Sequence, residues 1–293
     1  MANDLKPPNL DRLSPSAREW LRRVHVNLPW RHWLQYRDLV LEKKIHVELG
    51  FSARELDDAP RSELAAAARS LEKAGCRTTL HGPFWDLSPG SSDPLVRGVT
   101  RLRLQQFMDL LDVFHPEQVV CHTGFDPRHY REHREEYLDR SLAVWGPLVV
   151  QAERAGTPLL LENVWEEDPD FHKDLLDRLA SPWTGFCLDV GHQHSFSKTP
   201  LALWLEALGG ELREVHLHDN DSSHDLHLPV GRGTIDFRFL FGFLENTVTM
   251  PVLTLEPHCG EHLFHSLEGL SRVCSPSRVP LVPGTTPWKK GKR

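Results

Sequence analysis

No stretch of this 293-residue chain approaches the roughly 18 consecutive apolar residues that a membrane-spanning helix needs. Its first residues, MANDLKPPNLDRL, lack the basic-then-apolar pattern of an export signal, so a cytoplasmic location is the expectation. The five cysteines (Cys76, Cys121, Cys187, Cys259 and Cys274) form no CxxC pair. Cys121 and Cys187 fall inside apolar, strand-like runs, where a buried free thiol is expected rather than a disulfide. Basic charge is scarce as well: 34 Lys and Arg against 41 Asp and Glu leave a formal charge of −7. That is not the footprint of a protein that grips nucleic acid by its phosphates, although bound cations would reverse the field locally. Nor is there a glycine-rich turn after the first strand-like run, which argues against a doubly wound dinucleotide-binding sheet.

What the sequence does have is histidine, 18 copies of it, in a chain whose 40% hydrophobic content suits a soluble core. Short β-branched or apolar runs recur along it: RVHVNL (23–28), KIHVEL (44–49), RTTLHG (77–82), QVVCHTG (118–124), PLLLENV (158–164), TGFCLDVG (184–191), REVHLHD (213–219) and PVLTLEP (251–257). Segments with helical spacing lie between them. SELAAAARSLEKAG (62–75) opens with Ser-Glu and stops at a glycine, DPLVRGVTRLRLQQFMDLLDVF (93–114) offers Asp93 as an N-cap before Pro94, and 133–156 again ends at glycine. Strand–helix alternation of this length predicts an α/β fold, a single-domain (β/α)8 TIM barrel over 21–274. Residues 1–20 read as an N-terminal extension, and 275–293, rich in Pro, Gly and Lys/Arg, as a disordered basic tail.

Active sites of such barrels sit at the C-terminal strand ends. Here those positions hold His81, His122, Glu162, Asp189, His216 and Glu256, with His192 just after the sixth run and Asp225 and His227 after the seventh. A lone strand-end histidine is more often a hydrogen-bonded structural residue than a ligand. A Glu that follows three leucines is harder to dismiss, because a carboxylate buried without a cation costs several kcal/mol. Six strand ends of ligand type together predict a site for Zn²⁺, with Mn²⁺ or Mg²⁺ as alternatives.

These motifs (Glu162-Asn163, Asp189-x-x-His192, His216-x-x-Asp219, Asp225-x-His227 and the final Glu256) resemble the xylose-isomerase-like TIM-barrel superfamily over about 23–272. That superfamily includes sugar isomerases and epimerases and the endonuclease IV (AP endonuclease family 2) proteins. The isomerase likeness implies one divalent ion on Glu162, Asp189, His216 and Glu256. The endonuclease IV likeness implies three zinc ions: one on His81, His122 and Glu162, a second sharing Glu162 with Asp189, His216 and Glu256, and a third on His192, Asp225 and His227. The presence of His81, His122 and the Asp225-x-His227 pair favours the polynuclear case and with it phosphodiester hydrolysis, with Glu162, Glu256 and His192 at its centre.

The loops narrow the substrate. LPWRHWLQYR (28–37) and the acidic GFSARELDDAP (50–60) do not match the DNA-inserting loops of endonuclease IV relatives, which argues against abasic DNA and a repair nuclease. HGPFWDLSPGSSDP (81–94) together with HLPVGRGTIDF (227–237) resembles a branch that includes cobamide-remodelling phosphodiesterases. A small-molecule phosphodiester is therefore the first expectation for a partner. A sugar or sugar phosphate, handled by a one-metal isomerase or epimerase, is the alternative, and a barrel that only binds is the third. Trp30, Trp85 and Trp165, just past strand ends, could stack on a substrate, and Arg232 between two glycines could reach a phosphate. By period-2 alternation His194, His218 and His258 are expected on the ligand side, as donors behind the ligands or to the substrate, with His224 facing solvent.

Overall fold

The apolar runs form strands because their side chains are buried on both faces, as parallel strands under a layer of helices must be. In the computed structural model, which describes residues 7–279, they are β1 (His25–Pro29), β2 (His46–Gly50), β3 (Thr78–His81), β4 (Val119–His122), β5 (Leu159–Glu162), β6 (Thr184–Asp189), β7 (Leu212–Leu217) and β8 (Val252–Leu255). All pair in parallel with their sequence neighbours, and β8 closes on β1, so the sheet is a closed eight-stranded (β/α)8 barrel. The register sets His122 beside Glu162 and Asp189 beside His216. Between β6 and β7 it shifts at Phe186/Cys187. No helix among the described residues is long and apolar enough to cross a membrane.

Alternation along the strands separates two interiors. Val119, Leu159, Leu161, Phe186, Leu188, Val215, Leu253 and Leu255 belong to one continuous core between barrel and helices. Residues of the opposite parity point into the barrel, where the apolar filling includes a separate cluster of Val120, Leu160 and Cys187. The rest of that lumen is polar: Glu48, Thr79, Glu214, His216 and Thr254 are all fully buried.

The helices largely follow their sequence signals. Arg61–Ala74 ends at Gly75 and Arg134–Ala155 at Gly156, each glycine at positive φ (73° and 68°), the backbone state that glycine adopts without strain. Asp93 caps Pro94–Met108 by accepting the Leu95 N–H at 2.8 Å. Two details differ. Ser62 does not cap its helix, which starts at Arg61 after Pro60, and the expected helix over 93–114 is broken, resuming only as Leu111–Phe114. The cysteines are all free, and Cys121 and Cys187 are buried.

From Leu10 onward the expected N-terminal extension packs onto the barrel domain, while residues 1–6 lie outside the described residues. Leu10, Leu13, Ala17 and Trp20 are buried, and their spacing of three and four residues is one face of a helical turn. Polar and proline residues between them disguise it. Helix Pro15–Leu21 lies against Gly260–Val273, with the Ser14 N–H donating to Glu268 (2.7 Å) and the Trp20 indole N–H to the Cys274 carbonyl (3.2 Å). At the other end, 275–279 are also ordered: Pro276–Arg278 forms a short 3-10 turn, and Arg23 donates to the carbonyl of the buried Val279. The remainder of the expected tail, 280–293, lies outside the described residues.

Trp20→Ala should therefore destabilise the whole protein by about 3–5 kcal/mol, the range for emptying a buried aromatic site. Denaturant unfolding checks this; an unchanged midpoint would show the N-terminal helix to be only a surface appendage.

Candidate metal centre

The site is built from the strand ends inward on one carboxylate. Glu162 ends β5 with 1% of its surface exposed, and both of its oxygens face imidazoles. His81 Nε2 and His122 Nε2 lie 3.0 and 3.2 Å from Oε2. His192 Nδ1 and His216 Nδ1 lie 3.2 and 3.6 Å from Oε1. His216 Nδ1 is also 3.2 Å from Glu256 Oε1 and 3.9 Å from Asp189 Oδ2. Asp225 Oδ2 receives His227 Nε2 at 3.1 Å and His192 Nε2 at 3.4 Å. All nine residues expected as ligands from the sequence thus converge on one continuous cluster.

Local structure explains the motifs. Asp189 caps the helix Val190–Phe196 by accepting the His192 N–H at 2.6 Å, so Asp-x-x-His is one helical turn that brings both side chains to the same side. Asn163 ties β5 to β6: its side chain donates to the Asp189 carbonyl and accepts the Asp189 N–H, both at 2.9 Å. Gly191 is required by space, since a Cβ there would fall 1.9 Å from the His218 ring. Asp219, fully buried, gathers the loop after β7 by accepting the N–H groups of Asn220, Gly231, Gly233 and Ile235 at 2.8–3.1 Å. His227 in that loop has φ 46°, a left-handed conformation that costs energy for a residue with a side chain.

Three histidines of the cluster have Nδ1 committed to a backbone carbonyl. Nδ1–H donates to the Gly82 carbonyl in His81 (2.9 Å), to the Asn163 carbonyl in His192 (3.0 Å) and to the Glu256 carbonyl in His227 (3.3 Å). A carbonyl can only accept, so each of these bonds leaves Nε2 turned into the cluster, the arrangement found behind metal-ligating imidazoles. His216 is reversed, with Nδ1 in the cluster and Nε2 facing Glu48 Oε2 at 3.4 Å.

Carboxylates and imidazoles in the cluster hold one another charged. Burial pushes the Glu162 carboxyl up, but the His122 and His216 charges outweigh it and hold it well below its ordinary value. Asp189 is likewise held at about 2 against the cost of burial by His192 and His218. The histidines answer in kind. Burial alone would lower His81 and His227, but Glu162 acting on the first and Asp225 on the second raise each to about 9. Protons and metal ions compete for the same lone pairs, so this donor set suits a divalent cation. Triads of donor atoms within 4.8 Å of one another include His81–Glu162–His216, Glu162–Asp189–His192 and His192–Asp225–His227.

Several expectations need correction or placing. His194 cannot follow strand alternation, because 190–196 is helical; its Nε2 meets Thr234 Oγ1 at 2.9 Å. His218 is not at the substrate rim but inside the cluster, 3.1 Å from both Asp189 oxygens and stacked on His227 at 3.8 Å, within a further donor triad with His227 and Glu256. Trp30 is buried against Trp33 and Phe51 and serves the core. His258 stacks on the other side of His227 at 4.1 Å, and His224 is exposed. Trp85 is 77% exposed beside Phe84, which itself stacks on His122. Trp165 lies half-open under the Arg128 guanidinium, and Arg232 is exposed on the Asp219-bound loop.

Sequence reasoning missed Glu48 and Glu214, both fully buried in the lumen below His216. Burial and the Glu48 charge push the Glu214 carboxyl up to about 8, and Thr254 and Gln118 donate to it. The available signal was a carboxylate two residues before an inward-facing strand end, in VEL and in REVHL.

The pH dependence has a definite sign. His81 and His227 carry folded values above the ordinary 6.5, so the stability they contribute is complete below 6.5 and lost as pH rises through about 9. Glu214 acts in the same direction between 4.5 and about 8, because folding favours its neutral form. With EDTA present, Tm should fall from pH 6.5 to 9.5, and stoichiometric zinc should flatten that decline. A level curve in EDTA would contradict the charge assignment.

Residues 45–274 match the family model described as xylose isomerase-like TIM barrel. MJ1311 of Methanocaldococcus jannaschii, an uncharacterized protein, is 28% identical over 165 residues, 54% of this chain and 56% of that relative, so the chain spans little more than half of the relative's length. Among solved structures, the TTHB071 protein of Thermus thermophilus, soaked with ZnCl2, superposes with a TM-score of 0.69 at 25% identity, covering 86% of this chain and 97% of that one. A D-tagatose 3-epimerase-like protein gives 0.72 at 21% identity over 86% and 96% of the two chains. With the family model covering most of its length, this chain belongs to the xylose isomerase-like TIM-barrel family.

Proposed function

We propose that this protein is a divalent-metal enzyme that holds up to three ions, zinc suiting its imidazole-rich donors best, and cleaves a phosphodiester in a small or medium-sized substrate. The observation that carries this reading is the engagement of both Glu162 oxygens, each facing two imidazoles. A carboxylate enclosed in that way suits a bridge between ions. It is poorly placed to shuttle a proton between sugar carbons, which requires a free oxygen. His81, His122 and the His192–Asp225–His227 triad are needed for three ions and superfluous for one. Such ions, when bound, polarise phosphoryl oxygens and bring the pKa of water towards neutrality.

The chain's own residues supply the rest. Glu162, Glu256 and His192 stand where the donor groups meet, and Glu256 turns both its backbone carbonyl and its side chain towards His227. Arg232, exposed on a loop anchored by Asp219, is the candidate to meet a phosphate, while Phe84, Trp85 and Trp165 offer aromatic faces to a planar group. The nucleotide loop of a cobamide is the candidate that the sequence resemblance supplies. The formal charge of −7 argues against duplex DNA.

A second reading, a sugar or sugar-phosphate isomerase or epimerase, has its own support. The epimerase-like neighbour carries that chemistry in its name, and no relative described above is named as a hydrolase. Glu162, Asp189 and Glu256 around His216 Nδ1 would be a sufficient one-ion set.

Elemental analysis of the purified protein should give close to three zinc per chain; a single Mn²⁺ or Mg²⁺ would move the assignment to the isomerase. His122→Ala should slow hydrolysis of bis(p-nitrophenyl) phosphate by about 100-fold or more, comparable to removing one electrostatic donor from a transition state. Epimerisation of a ketohexose, with no phosphodiester turnover, would favour the second reading; cleavage of abasic duplex DNA would favour a repair nuclease.

A further inference from the structure

Glu48 stands behind His216, where the carboxylate takes the place that a backbone carbonyl takes behind three other rings of the cluster. His81, His192 and His227 each rest Nδ1–H on a backbone carbonyl and turn Nε2 inward. The His216 ring is reversed, and its outward nitrogen, Nε2, meets a carboxylate oxygen, Glu48 Oε2, at 3.4 Å. Both residues are fully buried, and neither His216 Nε2 nor Glu48 Oε2 has a hydrogen-bond partner among the described residues; the two face each other at 3.4 Å, with Glu214 Oε1 farther from Nε2 at 3.9 Å. The second Glu48 oxygen is fixed by the Asn27 side-chain N–H at 2.8 Å, which sets the carboxylate's rotation. Glu48 lies on β2 and His216 on β7, so the contact crosses the barrel lumen beneath the metal centre.

We propose that Glu48 is a positioning residue: it accepts the Nε2–H of His216, so that the Nδ1 lone pair is presented to the ion shared with Glu162, Asp189 and Glu256. The inference rests on the metal-binding reading above but not on the choice between hydrolase and isomerase. Its physical basis is that either nitrogen of a neutral imidazole can carry the proton. Without an acceptor behind it, the ring can carry that proton on Nδ1 and turn its lone pair into the lumen, away from the ion. A carboxylate removes that alternative and, unlike a carbonyl, adds negative charge that makes Nδ1 a stronger donor. A buried carboxylate with one oxygen left without a neutral donor is costly, and pairing with an imidazole N–H accounts for its presence in the lumen.

The test compares zinc affinity, read by competition with a chromophoric chelator, for the wild type, Glu48→Gln, Glu48→Leu, His216→Ala and the double variant Glu48→Leu/His216→Ala. Circular dichroism and Tm on the metal-free proteins show which variants fold. Glu48→Leu should weaken one zinc equivalent by roughly 10–100-fold, leaving the others near wild type, and Glu48→Gln, which keeps an acceptor without the charge, should weaken it less. The double variant should lose no more than His216→Ala alone, because Glu48 acts only through that ring. Wild-type affinity in Glu48→Leu, or additive losses in the double variant, would overturn the proposal while the metal centre stands. A uniform loss of every equivalent would overturn it too, as the mark of a merely structural residue. If the wild type binds no divalent ion, the metal reading fails, and this proposal fails with it. Should Glu48→Leu not fold, the Gln variant decides alone: an affinity equal to the wild type's at the His216 equivalent rejects the role of the charge.

Discussion

A carboxylate with almost no exposure cannot stay ionised at the mouth of a barrel unless positive charge reaches both of its oxygens. Glu162 is in that position, and much of the surrounding structure answers to it. β4 brings His122 into register beside it, and β3 carries His81 to the same oxygen. On its other side β6 and β7 bring His192 and His216 to the second oxygen, with Asn163 holding the ends of β5 and β6 together through two backbone bonds. Any change of one residue in the β5 register would turn Glu162 out of the barrel and replace it with Leu161, so strand pairing and site chemistry are the same constraint.

The demand also runs downward. A barrel of this size ordinarily fills its lumen with layers of branched apolar side chains. Here Val120, Leu160, Cys187 and Val252 do so among the described residues, and the space beneath the cluster is given to Glu48, Glu214, Thr79 and Thr254. Cohesion is carried instead by the layer between barrel and helices, where the apolar core is continuous from Leu10 to Val279. That division explains why the N-terminal helix cannot be an ornament: Trp20 and Leu13 belong to the layer that compensates for a polar lumen.

The legible parts of this design were those in which a residue type and a strand end coincide. Glu162 after three leucines, and His81, His122 and His216 at the ends of β-branched runs, are visible because period-2 alternation fixes the side and the run's end fixes the height. Glu48 and Glu214 were hidden because alternation gives the side but not the depth: in the middle of a run, a carboxylate looks like a solvent-facing position of an exposed sheet. His194 was misjudged for the opposite reason, since the alternation was extended past Asp189, where the chain has already turned into a helix capped by that same aspartate. The buried stripe Leu10, Leu13, Ala17 and Trp20 was lost among prolines and charges, although its spacing is helical.

Strand ends and loops contribute differently to the cluster, and that difference bears on what the fold can do. His81, His122, Glu162, Asp189 and His216 stand on the strands themselves, and Glu256 follows β8 directly, so their spacing is inherited from barrel closure. Asp225 and His227 come from the loop after β7, whose shape depends on one buried aspartate binding four backbone N–H groups and on a strained conformation at His227. A donor set sufficient for one ion is therefore written into the barrel, whereas the His192–Asp225–His227 triad takes His192 from the helix after β6 and its other two members from a loop. A loop can be rebuilt without disturbing strand register, so barrels of one family can differ in ion number, and hence in reaction, while sharing nearly every strand contact. In this chain Asp219 ties together the two ends of the loop that carries Asp225 and His227, because its two side-chain oxygens accept the N–H groups of Asn220 before them and of Gly231, Gly233 and Ile235 after them.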